Sequence, residues 1–470
     1  MSTSRTEGET TGAGIEPLYA RLDERRTKDD QRSRSQRDRD RLLYASAFRR
    51  LAGVTQVVGA AEGHIFHNRL THTLEVAQIA RRIAERFAEG PLPPGGRRPD
   101  PEAAEAAALA HDVGHPPFGH IAEDELNRLV RKHGDKEGFE GNAQSFRVVT
   151  RLEVHRTQYD GLNLTRATLN GILKYPWYRR DFAGADEKSE KFGAYRSDWR
   201  AFEHARMGTP GAHQSVEASI MDVADSIAYS VHDLDDFQRA GLIPVAQLAY
   251  DDSTFSEVIA SWKRSRKPPP ENLDDYIKSI RRLLKLFVSD DEEAGRGQRA
   301  DNERRGAQDQ ERDVARAWEQ RALQCTASAR LIQKYVMAVQ LIEPNESGHV
   351  AVIADPAAEL EMRFLQRLVW HYVIENPRLA TQQHGQRRMI ETLFDIYHAA
   401  VQREDWNLIP APLHREVWRI SHPREPGRVE SSPARVAADI IAGLTDVQAG
   451  VLFRRLTGVA PGSVVDLLDR

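Results

Sequence analysis

The sequence is nearly free of cysteine: among its 470 residues, only Cys325 carries a thiol. A single cysteine excludes a disulfide framework within the chain, and it cannot supply the thiolate set of a structural zinc site. Any transition metal bound by this chain must therefore take histidine nitrogens and carboxylate oxygens as its ligands.

Long apolar segments are also missing. No run of about 18 apolar residues occurs, so no membrane helix is predicted. The N-terminal segment MSTSRTEGETTGAGIEP lacks the apolar core of a secretory signal, which favours a cytoplasmic protein without membrane contact. The formal net charge of −4 gives no overall basic signature of nucleic-acid binding.

The spacing of apolar residues predicts an all-α fold. Residues 1–35 are polar and charged, as in a disordered tail, and helical periodicity begins at about residue 36. Helices are predicted over 69–88, 101–112, 145–155, 164–175 and 213–241, with one short hairpin over 340–355. The expected regions are a helical core (36–245), a charged insertion or linker (246–313) and a C-terminal helical region (314–470).

Four side chains on these predicted helices are candidate metal ligands. His72 lies on the first amphipathic helix, and His111 and Asp112 end the second, at the start of HDVGHPPFGH. Asp225 lies in the long helix among apolar residues, where an unpaired carboxylate would be costly to bury. Two imidazoles and two carboxylates suit a divalent cation and leave coordination positions for water and substrate.

Each of these residues alone has a more ordinary interpretation. A single histidine on a helix is usually exposed or hydrogen-bonded in the core, and His-Asp is a common dipeptide. Asp225 would serve equally as a hydrogen-bonding partner between helices. Only the joint pattern H…HD…D, in this order and on helices, is specific.

That joint pattern resembles the HD-domain metal-dependent phosphohydrolases. Further blocks narrow the resemblance to the deoxyguanosinetriphosphate triphosphohydrolase (dGTPase) family, and they occur in that family's order over residues 37–240. The blocks are AFRRLAGVTQV, NRLTHTLEVAQIARRIA, HDVGHPPFGHIAEDELN, GFEGNAQSFRVV, LTRATLNGILKYPW and MDVADSIAYSVHDLDD. LFDIY and ADIIAGLTD extend the resemblance into the C-terminal region.

The resemblance implies a hydrolase that splits a deoxynucleoside triphosphate, dGTP among them, into deoxynucleoside and intact triphosphate. It implies a divalent ion, Mg²⁺ or Mn²⁺, which lowers the pKa of a bound water and polarises a phosphate oxygen. It further implies an HD-domain helical core, a C-terminal helical extension that completes the nucleotide pocket, and a homo-oligomer. A deoxynucleotide activator, bound between subunits, is compatible with such an enzyme.

A candidate acid–base pair follows the Pro-Pro turn. His120 and Glu123 share a helix face if the segment from residue 119 onward is helical. Histidine suits proton transfer because its ordinary pKa is near the working pH, and the matching family pair is the proposed acid–base dyad. The alternative is a glutamate that merely favours the first turn of a helix.

Substrate contacts are expected along the long helix and near the phosphates. Asp225, Tyr229 and Asp233 are spaced to line one face. The resemblance implies that Tyr229 packs on the deoxyribose and that Asp233 accepts from its 3′-hydroxyl, with core packing as the alternative for Tyr229. Arg69 lies one turn before His72 and is placed to reach the triphosphate. The resemblance also implies contacts of Gln56 with the sugar and of Asn142, Lys174 and Tyr175 with the phosphates, and His115 is expected as a further phosphate contact. For the arginine and lysine, a solvated surface position is the alternative.

Competing functions stay open. One is a non-catalytic nucleotide-binding protein with a decayed HD fold, and another is a phosphohydrolase of a different nucleotide phosphoester. A third adds single-stranded DNA as a partner, which the basic runs RSRSQRDRDR and KRSRK permit, although a solvated charged surface explains both runs more simply. No base preference is predicted from the residues, since Val447 and Gln448 follow ADIIAGLTD where the family pattern suggests an arginine.

Overall fold

A computed structural model describes most of the chain. The described residues are 16–24, 30–57, 66–91, 97–179, 190–209, 211–265, 267–288, 307–342, 351–423 and 430–460. They form 18 α-helices and one pair of short strands. The predicted all-α class is therefore confirmed.

Nine helices precede residue 240 in the described ranges. They are α1 (Arg34–Leu43), α2 (Ser46–Arg50), α3 (Arg69–Glu89), α4 (Pro101–Ala110), α5 (His120–Lys132), α6 (Gly141–Arg147), α7 (Arg166–Ile172), α8 (Trp199–Arg206) and α9 (Val216–Arg239). A π-helical turn, Val148–Leu152, continues α6. The helix expected over 145–155 therefore begins earlier and changes its winding, and the one expected over 164–175 is shorter.

Nine more helices follow in the described part of the chain. They are α10 (Val245–Tyr250), α11 (Asp252–Lys263), α12 (Ile277–Lys285), α13 (Ala307–Ala338), α14 (Pro356–Val369), α15 (Pro377–Arg403), α16 (His414–Ser421), α17 (Pro433–Ala442) and α18 (Asp446–Leu456). Strands β1 (Val339–Ile342) and β2 (Ala351–Ala354) pair antiparallel, with Val339 opposite Ala354. This pairing agrees with the predicted hairpin, whose turn lies outside the described residues.

Capping residues fix the starts of the helices that carry the candidate ligands. Asn68 accepts from the Thr71 N–H at the start of α3, and Asp100 caps α4 immediately before Pro101. Ser215 begins α9 in the same way. Because these ends are fixed, the register of each ligand along its helix is fixed as well.

The centre of the molecule is the packing of α3, α4 and α9 against one another. Val76 of α3, Ala107 of α4 and Ile227 of α9 are fully buried in one continuous apolar cluster. The alanines of α4 let its neighbours approach closely: a Cβ added to Gly171 of α7 would lie 2.8 Å from that of Ala107. This close packing brings the ends of the three helices into reach of one another.

The C-terminal helices pack against the helical core through a second apolar cluster. Leu126 of α5 lies in it beside Phe394 of α15 and Ile440 of α17. The fully buried Arg147 reinforces the contact, since its guanidinium pairs with Asp439 of α17 at 2.8 Å. The helix that begins at His120 therefore rests on the C-terminal region along its length.

Two of the expected regions differ from the structure. The expected linker 246–313 contains α10 to α12, whose Leu248, Val258 and Leu284 are buried. The prolines and acidic runs between these helices obscured their apolar periodicity. Part of the expected tail 1–35 is also ordered, because the buried Arg21 pairs with Asp38 of α1 at 2.6 Å. Residues 1–15, 25–29 and 289–306 lie outside the described residues.

The described helices were compared, one by one, with the length and apolar composition of a membrane-spanning helix. None combines the length and the apolar composition needed to cross a bilayer. Only α17 and α18 together pass the test, across a bend of 119°.

Candidate active site

The four candidate ligands converge where α3, the end of α4 and α9 meet. His72 Nε2 lies 3.2 Å from Asp225 Oδ1, and His111 Nε2 lies 3.8 Å from the same oxygen. His111 Nε2 is also 3.4 Å from Asp112 Oδ1. Nitrogen or oxygen atoms of His72, His111 and Asp112 all lie within 4.8 Å of one another. The structure thus assembles residues that are more than 150 positions apart in the chain.

Hydrogen bonds around this cluster orient its lone pairs inward. His111 Nδ1 lies 2.6 Å from the Ala108 carbonyl, so the ring donates there and Nε2 keeps its lone pair. Arg69 binds Asp112 Oδ2, and Lys174 Nζ lies 3.1 Å from Asp225 Oδ2. Each cation occupies one oxygen of a carboxylate and leaves the other beside the imidazoles. Two imidazole nitrogens and two carboxylate oxygens of this kind fit a divalent cation.

The electrostatics keep both carboxylates of the cluster ionised. Burial opposes ionisation of Asp112, but Arg69 and the neighbouring histidines overcome it and hold its pKa well below the usual range. Burial is likewise overcome at Asp225, where Lys174 and His72 lower the pKa of the carboxyl. Deprotonated carboxylates are what a metal requires of its ligands.

The segment between the cluster and α5 is a tight turn held against α6. Gly114 donates its N–H to Ser145 Oγ at 3.0 Å, and a Cβ at Gly114 would lie 2.1 Å from the Ser145 nitrogen. Only glycine allows this approach. Phe118 and Gly119 then take φ angles of 65° and 61°, and α5 begins at His120.

His120 and Glu123 form a hydrogen-bonded pair at the start of α5. His120 Nδ1 lies 2.9 Å from Glu123 Oε2, with the His120 side chain 74% exposed and that of Glu123 7% exposed. Glu123 Oε1 accepts from the Gly141 N–H at 3.1 Å and from Lys191 Nζ at 3.0 Å. Burial would raise the pKa of Glu123, but His120 and Lys191 hold it well below the usual range. The glutamate is therefore an ionised acceptor that fixes the imidazole.

His115 lies between the two groups. Its Nδ1 is 3.1 Å from Asp112 Oδ1, and its ring centroid is 5.9 Å from that of His120. A Cβ at Gly141 would approach His115 Nε2 to 3.0 Å, so the start of α6 must be small here. Burial and the charge of Arg69 lower the pKa of His115. His115, His120 and Glu123 also form a second set of side chains close enough to share a metal ion.

Two of the residues expected at the sugar each have a buried side-chain oxygen without a hydrogen-bond partner in the described part of the chain. Asp233 is 3% exposed, and neither its Oδ2 nor Gln56 Oε1 has a hydrogen-bond partner among the described residues. Burial raises the pKa of Asp233 well above its usual value, with Asp236 adding to the effect. Tyr229 lies half-buried one turn before Asp233, and burial raises its pKa. Unpartnered buried oxygens of this kind suit a polar ligand.

The residues expected at the phosphates have protein partners in this structure. Lys174 binds Asp222 at 2.8 Å as well as Asp225, and Tyr175 packs edge-on against Trp177. The Asn142 side chain donates to Glu140 Oε1 at 2.8 Å.

Three further residues of the site were not singled out from the sequence, although Arg50 and Asp446 lie in blocks that resemble the family. Lys191 bridges Glu123 and Glu140, each at 3.0 Å, yet it lies in a charged stretch without periodicity. Arg50 donates to the carbonyls of Val113 and His115 at 2.8 Å, but AFRRL contains two arginines and does not indicate which one points to the site. Asp446 binds the Phe118 N–H from a distant part of the chain. Such long-range contacts leave no local pattern.

In comparisons with known proteins, one family model matches the helical core and another matches the C-terminal region. The HD domain family model matches residues 69–230, and the phosphohydrolase-associated domain model matches residues 352–455. The first match contains all four residues of the cluster and the His120–Glu123 pair.

Two relatives match nearly the whole chain, and a third matches a little less than half of it. A "Deoxyguanosinetriphosphate triphosphohydrolase-like protein" of Corynebacterium efficiens is 34% identical over 444 residues, covering 92% of this chain and 93% of the relative. A protein of the same description from Shewanella sediminis is 30% identical and covers 95% of this chain and 96% of the relative. One from Streptomyces coelicolor reaches 47% over 220 residues, which is 45% of this chain and 49% of the relative. The chain therefore belongs to the deoxyguanosinetriphosphate triphosphohydrolase-like family of HD-domain phosphohydrolases.

Proposed function

We propose that this phosphohydrolase is a metal-dependent deoxynucleoside triphosphate triphosphohydrolase, which releases the deoxynucleoside and intact triphosphate. The observation that carries the proposal is the presence of two groups: a buried His/Asp cluster and, nine residues after His111, an exposed histidine fixed by a buried glutamate. A protein that only binds nucleotides and has lost catalysis would not need both groups with their supporting hydrogen bonds.

His72, His111, Asp112 and Asp225 would hold the divalent ion, for which Mg²⁺ and Mn²⁺ are the candidates. The fit rests on the inward lone pair of His111 and on the two Oδ1 atoms that Arg69 and Lys174 leave available. When bound, such an ion supplies Lewis acidity toward phosphate and a water of lowered pKa.

Proton transfer is assigned to His120. Its Nδ1 donates to the ionised Glu123, so Nε2 is left to take or give a proton at an oxygen of the substrate. The 74% exposure of the imidazole gives substrate access to it. Glu123 is the positioning partner, because its buried carboxylate is itself held by Lys191 and the Gly141 N–H.

Substrate binding is assigned to the residues around these two groups. Tyr229 would pack on the deoxyribose, and Asp233 and Gln56 would bind its hydroxyl through the oxygens that lack protein partners. The phosphate contacts are assigned to Arg69, His115, Asn142, Lys174 and Tyr175. A homo-oligomer, a deoxynucleotide activator, single-stranded DNA and a cytoplasmic location stay predictions of the sequence.

A product assay tests the proposal. The purified chain is incubated with Mn²⁺ or Mg²⁺ and each of the four deoxynucleoside triphosphates, with and without dGTP as activator, and phosphorus NMR identifies the products. Triphosphate and deoxynucleoside are expected, and EDTA should stop their formation. Release of pyrophosphate or of single phosphates would overturn the proposed reaction. The Asp225→Ala chain, purified identically, controls for contaminating phosphatases.

A further inference from the structure

One carboxylate of the C-terminal region binds two loops of the active site at once. Asp446, the first residue of α18, accepts the Phe118 N–H at 2.9 Å through Oδ1. Its other oxygen, Oδ2, accepts the Thr55 hydroxyl, and the Thr55 N–H lies 3.4 Å from Oδ1. Thr55 precedes Gln56, and Phe118 lies two residues before His120.

The loop at Phe118 needs this support. Phe118 has a φ of 65°, a left-handed conformation that costs free energy for a residue with a Cβ. Gly119 follows at 61° and has no side chain with which to cap α5. The Phe118 ring packs against the apolar cluster of the C-terminal helices. Both the backbone and the side chain of this turn are therefore held by the C-terminal region.

The second loop connects Asp446 to the buried cluster. The Thr55 carbonyl accepts from Arg69 Nε at 3.3 Å and Nη2 at 3.2 Å, and the same guanidinium binds Asp112. Close packing stabilises this contact, since a Cβ at Gly53 would lie 2.9 Å from Thr445. A shift of α18 would thus reach the start of α5 directly and Asp112 through two intermediates.

We infer that Asp446 is a positioning residue, which holds the Phe118–Gly119 turn so that His120 is presented beside Glu123. The inference rests on the proposed function for its catalytic consequence. It gives the phosphohydrolase-associated region a defined part in the reaction: it supplies the acceptor without which the first turn of α5 is not fixed.

A double-mutant cycle tests the catalytic consequence. Asp446→Ala is expected to lower kcat by about 10- to 100-fold, with little change in KM, because a small displacement of a reacting group is costly. Asp446→Asn keeps an acceptor for the Phe118 N–H and should retain most of the activity. In a Glu123→Gln background, Asp446→Ala should add little further loss. An equal loss in both backgrounds would overturn the inference.

Hydrogen exchange tests the same contact without any substrate. The Phe118 amide should exchange faster in Asp446→Ala than in the wild type or Asp446→Asn, while protection of α17 stays unchanged. If Asp446→Ala loses protection throughout, Asp446→Leu is used instead, since leucine fills the space and removes only the acceptors. Asp252→Ala, which also changes the first residue of a helix, is the matched control.

The two measurements separate the inference from the proposed function. Unchanged exchange at Phe118 in Asp446→Ala or Asp446→Leu overturns the inference, whether or not the chain hydrolyses nucleotides. Faster exchange in a chain whose wild type hydrolyses no deoxynucleoside triphosphate refutes the proposed function and supports the contact. Faster exchange with the expected loss of kcat supports both.

Discussion

His111 of the cluster and His120 of the pair lie nine residues apart in the chain, yet the two groups have opposite surroundings. In the cluster, the side chains of His72 and His111 are 3% and 6% exposed, and each carboxylate has a cationic partner. In the pair, the side chain of His120 is 74% exposed and its only close charged partner in the described residues is Glu123. A buried imidazole with a fixed lone pair suits a metal, whereas an exposed one can exchange protons.

Burial, and not residue type, separates the two proposed roles of these histidines. HDVGHPPFGH supplies histidines to both groups, and the turn at Gly114 sends one to each side. The carboxylates differ in another way, since Glu123 is as buried as Asp112 but its oxygens have different partners. Asp112 and Asp225 each expose one oxygen to the cluster, while both oxygens of Glu123 are occupied by donors.

The largest expected effect comes from breaking the cluster. Asp225→Ala should lower turnover by on the order of 10⁴-fold, as expected for a residue without which the site cannot work. Steady-state kinetics with added Mn²⁺ measures the loss. Asp222→Ala is the matched control, because Asp222 lies one turn earlier on α9 and also binds Lys174. Comparable losses in both variants would show that the lysine pairing, and not the cluster, is what matters.

Breaking the pair should have a smaller effect. His120→Ala is expected to lower kcat by about 10²- to 10⁴-fold, the usual contribution of a general acid–base group. Added imidazole should restore part of the rate, since the site of the missing ring is open to solvent. His133→Ala, at the other end of α5, should have near wild-type activity. Full activity of His120→Ala would remove the histidine from the reaction.

A substitution on the face of α9 assigned to the sugar should affect the selectivity between deoxyribonucleotides and ribonucleotides more than the rate. Tyr229→Ala is expected to reduce the preference for deoxyribonucleotides over ribonucleotides by about 10- to 200-fold, the range for one steric contact. The ratio of kcat/KM for dGTP and GTP measures it. An unchanged ratio would show that Tyr229 only packs in the core and does not select the sugar.

The smallest effect concerns stability. Asp233→Asn removes a buried carboxylate without a partner on Oδ2 and should stabilise the fold by about 1–3 kcal/mol at pH 8. Because the folded-state pKa of Asp233 is raised, its contribution to stability is full below the unfolded value and is lost as pH rises through the folded value. The gain from asparagine should therefore be larger at pH 8 than at pH 5. Denaturant unfolding at both pH values measures it, and a gain that shrinks with rising pH would show that burial of Asp233 does not raise its pKa.

The sequence predicted the elements that have strong local signals. The helix over 69–88 is observed as α3, because its apolar stripe and the Asn68 cap both indicate it. The cluster residues were predicted because their order along the chain is specific. The helices α10 to α12 were missed, since prolines and acidic runs separate their short apolar faces.

The supporting contacts of the site could not be predicted from the sequence. Arg69 and Lys174 were expected at phosphates, and the structure places them on Asp112 and Asp225. The contact of Asp446 with Phe118 spans 328 positions. Such pairings depend on how helices pack, which no periodic pattern in one segment records.

Metal content, measured on the protein samples used for kinetics, tests the separation of the two groups most directly. We expect one divalent ion per chain in the wild type and in His120→Ala, and its loss in Asp225→Ala. Loss of the ion in His120→Ala, or a second ion that depends on His115, His120 and Glu123, would contradict this expectation.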